Sequence, residues 1–600
     1  MRVKRGTALQ SLSKIERVLE YHQRTKHKPN KYASGPEFLD WELQPNPHRI
    51  FDEIEKIPLP LDLSSVNTTY NALYSQTYKS KNSIQKNTFR GDTVHVNKKI
   101  DEKIKDLEPH SINIDSLGIL LGLSMGLSAH KEYMGDRWSL RCNPSSGNLH
   151  PTEAYLISQS INGLKDGVYH YLSESHSLQH RMISENKSQN RETPLLLLAL
   201  SSISWREAWK YGERAFRYCH LDVGHALAAI NYAAACLGWE VKILNSWSSN
   251  NIARVCGFDR TEDYGAAEIE NADLILSITR CDESAGNYQP ESILEWATNG
   301  FWQGKANILD KHPIYYWPII TQMEETTEIE ATIEIFNSKS SEQFANYPQL
   351  PQLPALSLAT ENNRSEVQTK RLIYRRRSAQ HFDKQSIIGI TEFYALVDKC
   401  LYRPDTIPWN ALSNAEPMIM IFFIHRVNRL NPGMYILSNN VGNSSEDNTQ
   451  QINRLKRTLN DEFVWTKPKN CPDQLPFYLL SEGNTEKLAK GLSCHQAIAS
   501  DGAFSVAMIF EFENVIKKHP MNYRKLHWQA GLLGHLLYLE AENLELQGTG
   551  IGCFFDDSIH ALLGIESMEY QVLYNFTVGG AFNDQRISTL PPYDHLDIEL

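Results

Sequence analysis

One pattern occurs twice in this 600-residue chain, and it constrains the fold more than anything else in the sequence. Phe216-Arg217-x-x-His220-x-x-x-Gly224 is matched by Tyr523-Arg524-x-x-His527-x-x-x-Gly531, at a constant offset of 307. Each instance opens a long stretch with helical spacing, the first running from Phe216 to Leu237, and its alanines suit close packing against a second helix. Leu430–Tyr435, LNPGMY, echoes Leu164–Tyr169, LKDGVY, and Ala503–Glu513 sits where Leu195–Ser204 sat. Four residue types recurring in matching context imply an internal duplication. Two similar halves in one chain imply a pseudo-dimer with a two-fold-like interface made mostly by the long helices.

The chain divides accordingly into an N-terminal extension (1–65), a first domain (66–320), a linker (321–366) and a second domain (367–600). The linker reading rests on the acidic run MEETTEIEATIE, the serine-rich SKSSEQ and the proline-spaced PQLPQLP. In the extension, Ile15–Pro29 has helical spacing and ends in a cationic cluster, Arg24, Lys26, His27 and Lys28, read as a solvated helix end. Ser34–Glu53 reads as extended chain over another surface. Leucine spacing over Ser111–Ala129 predicts a helix pair, Ala154–Ile161 and Leu195–Ser204 predict strands, Gly167 a hairpin turn, and Ala272–Ile278 a closing strand.

Composition removes several classes. A net charge of −11 argues against a general nucleic-acid binder. The longest apolar runs, Met418–Ile424 and Leu195–Leu200, are far short of the ~20 residues a membrane helix needs. The basic N-terminus has no apolar core behind it, and nine cysteines without a CxxC suggest neither a disulfide framework nor a metal site. A reducing cytoplasm is the default expectation.

The chemistry is divided unequally between the halves. Arg141–Tyr155, RCNPSSGNLHPTEAY, puts Pro144, Ser145, Ser146, Gly147 and Asn148 ahead of a strand, a turn rich in hydrogen-bonding groups with room for a ligand at the backbone. The corresponding place in the second half reads WNALSNAEP, Trp409–Pro417, without the paired serines. Conversely, the second half carries Arg375, Arg376, Arg377, Ser378 and Gln380 in YRRRSAQHF, donors suited to phosphate or to a ring bearing carbonyls. The first half has VNKKIDEKIKDLEPHSI there. Only the second half has the glycine-rich turn QGTGIGCFFDD, Gln547–Asp557. Arg586, past a late strand, is a further candidate for a phosphate.

These motifs together resemble the nitroreductase superfamily, specifically the SagB-type dehydrogenases that include azoline oxidases. YHQRTKH and LDWELQPNPHR resemble the SagB-type N-terminal region. The resemblance implies an α+β fold, α/β/α sandwich-like, with two fused domains forming an intramolecular pseudo-dimer and FMN at the interface. Carried over residue by residue, it implies one complete flavin site combining Arg376, Arg377, Ser378, Gln380, Gly552, Cys553 and Arg586 with Pro144, Ser145, Ser146 and Asn148. Gln380 departs from the family, which has Arg or Lys there. Lys210 and Tyr211 resemble the Lys-Tyr pair that azoline oxidases use beside the flavin.

The implied activity is two-electron dehydrogenation of an azoline or similar heterocycle in a peptide or small molecule, with a biosynthetic partner enzyme as a possible associate. The alternatives are an NAD(P)H-dependent nitro- or quinone reductase, and a non-catalytic flavin-binding scaffold subunit. Glu213 and Arg214 are expected to pair locally, and His150, His220 and His527 to serve packing or turns. Cys219–His220 and Cys494–His495 are isolated pairs rather than metal sites.

Overall fold

A computed structural model describes residues 12–75, 108–184, 194–283, 286, 288–331, 367–439 and 448–596. It is an α+β fold built on two large antiparallel sheets. In the first, the strand path runs Ser177–Ile183, Gly167–Leu172, Thr152–Gln159, Leu195–Ser202, Asn271–Arg280, Trp239–Ile243. In the second it runs Phe477–Glu482, Gly433–Asn439, Met418–Ile424, Phe504–Glu511, Tyr570–Gly579, Gln547–Ile551. Numbered in chain order, both paths read third, second, first, fourth, sixth, fifth. The first sheet is extended at its outer edge by Phe301–Trp302 and Lys56–Pro58.

Between the sheets lie two 22-residue helices, Ala215–Cys236 and Asn522–Asn543, again offset by 307. They cross on glycine. A Cβ at Gly224 would collide with the Trp528 carbonyl, and one at Gly531 with the Leu221 carbonyl. Leu221 and Trp528 are themselves 307 apart, so the contact is reciprocal, as at a two-fold axis.

Strand alternation explains why the apolar runs are continuous. Leu196, Leu198 and Leu200 face the central core that holds both helices, whereas Leu195, Leu197 and Ala199 face an outer cluster under Ser249–Cys256 and Pro290–Thr298. Met418, Met420 and Phe422 point inward and Ile419, Ile421 and Phe423 outward in the same way. Both strands are covered on two faces, so neither shows a polar side.

The N-terminal helix, Lys14–Arg24, starts with a capping box in which Ser13 and Glu16 satisfy each other's amides. It ends at Thr25, whose hydroxyl donates to the Tyr21 carbonyl and accepts from Arg217 Nε. Helix Pro318–Thr326 ends the same way. Thr327 Oγ1 donates to the Met323 carbonyl and accepts from Arg524 Nε, and Arg524 is the residue 307 beyond Arg217. This second helix occupies the start of the stretch read as linker, whose remainder, 332–366, lies outside the described residues.

Several local expectations are corrected. Ser111–Ala129 holds one helix, Ile114–Ser124, followed by strand Leu127–Tyr133 rather than by a second helix. Gly167 begins its strand. The turn lies earlier, where the Ser160 amide donates to Asp166. The cationic cluster is not a solvated helix end: Lys26 and His27 are buried, with Lys26 paired to Asp557 at 3.0 Å and the His27 amide donating to Asp556. Glu213 and Arg214 do not pair with each other. Glu213 takes Arg24, and Arg214 joins Arg217 on the fully buried Asp556. The VNKKIDEKIKDLEPHSI comparison falls mostly outside the described residues. Among the described residues, no helix is long and apolar enough to cross a membrane.

Candidate functional site

The segments that the sequence singled out in opposite halves meet in one cavity of about 1070 Å³, just above the ~300–1,000 Å³ range of ligand sites. Its floor on one side is the 143–150 loop. Asp222, on the first long helix, holds this loop from below. Ser145 Oγ donates to its carboxylate at 2.6 Å, and the Ser146 amide and hydroxyl donate at 3.0 Å each. Ser145 Oγ also accepts from the His150 amide at 2.8 Å, and His150 Nε2 lies 2.9 Å from Asn148 Oδ1. His150 thus braces the turn. Gly147, Asn148 and His150 all have positive φ. At Gly147 a Cβ would also lie 2.6 Å from the Tyr211 hydroxyl and 3.0 Å from Lys210 Nζ, so glycine lets those two groups approach.

The opposite wall comes from the second half. Segment 376–380 lies along the edge strand Gln547–Ile551. The Ala379 amide donates to the Gly548 carbonyl at 3.1 Å, and Thr549 Oγ1 donates back to the Ala379 carbonyl at 2.5 Å. Ser378 Oγ is 2.8 Å from the Tyr538 hydroxyl, which also accepts from the Gly550 amide. Arg376 crosses to the other half, donating to the carbonyls of Arg141 and Cys142 at 3.0 and 3.2 Å while its guanidinium sits over Tyr538. Arg377 donates to the carbonyl of Ser128, on strand Leu127–Tyr133.

Pro144, Ser145, Ser146, Asn148, Arg376, Arg377, Ser378, Gln380, Gly552, Cys553 and Tyr211 all line this cavity. Two proposed residues stand apart. Arg586 is absent from the lining: it is exposed, paired with Asp584 at 2.6 Å and placed over Tyr133. The turn that brings the chain past the cavity satisfies this arginine locally, and Asp584 and Gln585 reach the wall instead. Lys210 is also off the wall, half-buried behind Gly147, with its ammonium 5.2 Å from the Trp41 ring centroid.

The structure adds residues that the motifs did not name. Lys131, on the three-stranded sheet formed with Asp136–Arg141 and the C-terminal strand Ser588–Leu590, gives the cavity another cation beside Arg377. Asp222 is fully buried, and burial pushes its carboxyl up to about 7 against the pull of the Ser145 and Ser146 hydrogen bonds. Glu207, one helix back, is buried with neither carboxylate oxygen hydrogen-bonded. Burial, then the nearby Asp222, raises it well above the carboxylate range. Burial lowers Lys210, opposed by Glu207. The signal for Asp222 was present, since it lies inside the repeated helix, but nothing local distinguished it from a surface aspartate.

The donor set suits a flat, polyvalent anion. The buried Asn143 Oδ1 on the wall has no hydrogen-bond partner among the described residues, Gln380 and Ser378 are exposed to the cavity, and Lys131, Arg376 and Arg377 supply positive charge. These residues fit a flavin mononucleotide.

No family model matches the chain. Over 131 residues it is 27% identical to Putative nitroreductase MJ1384 of Methanocaldococcus jannaschii, covering 20% of this chain and 65% of that protein. The chain thus spans about two thirds of that relative's length. In structure it is similar to a putative nitroreductase from Anabaena variabilis, with a TM-score of 0.62 at 21% identity, over 94% of this chain and 99% of that one. The fold is shared with that protein along nearly the whole length. The E. coli microcin synthetase McbBCD complex with truncated pro-MccB17 aligns over 46% of this chain and 94% of that one, at 15% identity and a TM-score of 0.23.

Proposed function

We propose that this chain is an FMN-dependent oxidoreductase in which two diverged copies of a nitroreductase-type unit, joined in one polypeptide, build a single flavin site between them. The observation that carries the reading is the cavity itself: the Ser145–Ser146 loop of one half faces the Arg376–Gln380 segment and the Gly550–Cys553 turn of the other. Identical strand order in the two sheets and reciprocal glycine contacts support the duplication. On this reading each half begins with its own Thr-capped helix, Lys14–Arg24 and Pro318–Thr326.

FMN bound there supplies two-electron chemistry. Arg376, Lys131 and the 547–553 backbone would hold it, and Tyr538 positions Ser378, which is exposed to the cavity. We infer that the reaction is dehydrogenation of an azoline or similar heterocycle. Such an oxidation removes a proton along with the hydride, so the site needs a base. Lys210 Nζ and Tyr211 Oη stand together behind Gly147. Burial lowers the Lys210 amine, which suits it to take that proton through Tyr211 on the cavity wall, and burial keeps the Tyr211 hydroxyl protonated. A substrate carried on a peptide, delivered by a partner enzyme, fits a cavity whose rim includes Gln44 and Phe582.

Flavin absorbance on denatured protein tests the site and is expected to give one FMN per chain. Two per chain, or none after adding FMN, would remove the composite site. Incubation with an azoline-bearing peptide tests the reaction. No azole, together with NAD(P)H-driven reduction of nitroarenes, would replace the dehydrogenase reading with a reductase on the same site.

A further inference from the structure

We propose that Cys494 and Cys553 are a thiol–disulfide exchange couple at the edge of the cavity, with Cys553 as the attacking sulfur and a small-molecule disulfide as its oxidant. Six of the nine cysteines are buried, and of the three half-exposed ones two stand together here. Cys494 Sγ and Cys553 Sγ lie 2.6 Å apart. Two loops present the pair, one following helix Glu486–Leu492 and the other following strand Gln547–Ile551. The Phe555 amide donates to the Leu492 carbonyl at 2.8 Å, and Gln496 Nε2 donates to the Cys553 carbonyl at 3.0 Å. Both loops are therefore held at the contact between the two sulfurs.

The surroundings make the two sulfurs unequal. Cys553 lines the cavity. Arg214 lies beside it, donating to the carbonyl of the preceding residue, Gly552, at 3.1 Å. Contact with Cys494, then His27 and Arg214, pull the Cys553 thiol down, and Cys494 rises. A thiolate held by a cation and a hydrogen-bond donor, within reach of solvent, is the condition for nucleophilic exchange. No other cysteine here has it: Cys281, the third half-exposed one, is raised by burial and by Asp282.

The exchange balances without any other reactant. Cys553 Sγ attacks one sulfur of the small disulfide, whose S–S bond breaks. One thiolate leaves and takes up the proton that Cys553 has released, and a mixed disulfide remains on Cys553. Cys494 then attacks Cys553 Sγ, expelling the second thiolate, which receives the Cys494 proton. Two protein thiols are oxidised and one small disulfide is reduced to two thiols. The product ties the 552–555 wall of the cavity to the 493–496 loop.

The test uses the full chain incubated with glutathione disulfide, then alkylated, digested and mapped by mass spectrometry. The expected result is a peptide pair linked through Cys494 and Cys553 and released by dithiothreitol. Cys494→Ser should instead accumulate glutathione on Cys553, whereas Cys553→Ser should take up none at Cys494. Iodoacetamide at mildly acidic pH should label Cys553 about ten-fold faster than Cys281 in the unmodified chain. The proposal fails if both sulfurs stay free, if glutathione remains on Cys553 of the unmutated chain, or if Cys553 and Cys281 label at equal rates.

Discussion

The loops ahead of the first strand of each large sheet occupy matching places in the two strand orders and differ in what holds them. In the first half, Asp222 accepts from Ser145 and Ser146 and holds their loop beside a cavity. The residue 307 further on, Gln529, instead exchanges hydrogen bonds with the backbone of Glu416 at 2.7 and 3.0 Å. Tyr538 lines the cavity, whereas the residue at the matching place on the other helix, Asn231, donates to the Pro408 carbonyl and to Asn410. Trp409 lies between them, buried and bonded to the Lys399 carbonyl. The comparison teaches that a carboxylate on one helix organises a polar turn at the cavity, whereas the matching amide on the other helix anchors backbone near the buried Trp409.

Trp409→Ala breaks the comparison hardest. It removes a buried aromatic ring and should cost about 3–5 kcal/mol in denaturant unfolding, without adding a second flavin per chain. A second bound flavin would show that only the tryptophan separates the two sides.

Next is the pH dependence of Asp222. Its folded value, about 7, lies above the ordinary 3.8, so the folded state holds a proton that the unfolded state has lost between those pH values. Stability from this group is therefore present at low pH and declines as pH rises toward 7, by at most about 1.4 kcal/mol per pH unit. Asp222→Asn should gain stability relative to the parent chain over that window, read as the difference in urea midpoints at pH 5 and pH 8. Gln529→Asn should show no such slope, so equal slopes would mean that Asp222 does not titrate as described.

Asp222→Ala leaves the Ser145 and Ser146 donors without their acceptor, at about 1–3 kcal/mol. Flavin affinity by fluorescence titration should fall about ten- to hundred-fold, while Gln529→Ala leaves it unchanged. A matching loss in both would remove the distinction between the loops. The smallest effect is expected at Arg586, whose exposed ion pair with Asp584 is worth little. Arg586→Ala should leave flavin affinity unchanged, in contrast to Arg376→Ala.

Much of this was legible from residue types alone. The repeat fixed the two long helices and their crossing, because only glycine admits a carbonyl at that distance, and Gly224 and Gly531 stand in the same place in each copy. The strands at Leu195–Ser202 and Met418–Ile424 were legible as apolar runs. Arg586 was misplaced because a strand-end arginine looks alike whether it faces a ligand or its own neighbour Asp584. The cluster at Lys26 was misread because its partners, Asp556 and Asp557, lie more than 500 residues away in the chain.

The sequence by itself determined the two long helices with their matching glycines and the apolar strands, since these are written in local patterns. The tertiary structure decided which pieces share a wall, that Asp222 and Glu207 are buried together, and that Cys494 touches Cys553. Those facts depend on desolvation and on distances between remote segments, and neither quantity exists until the chain has closed on itself.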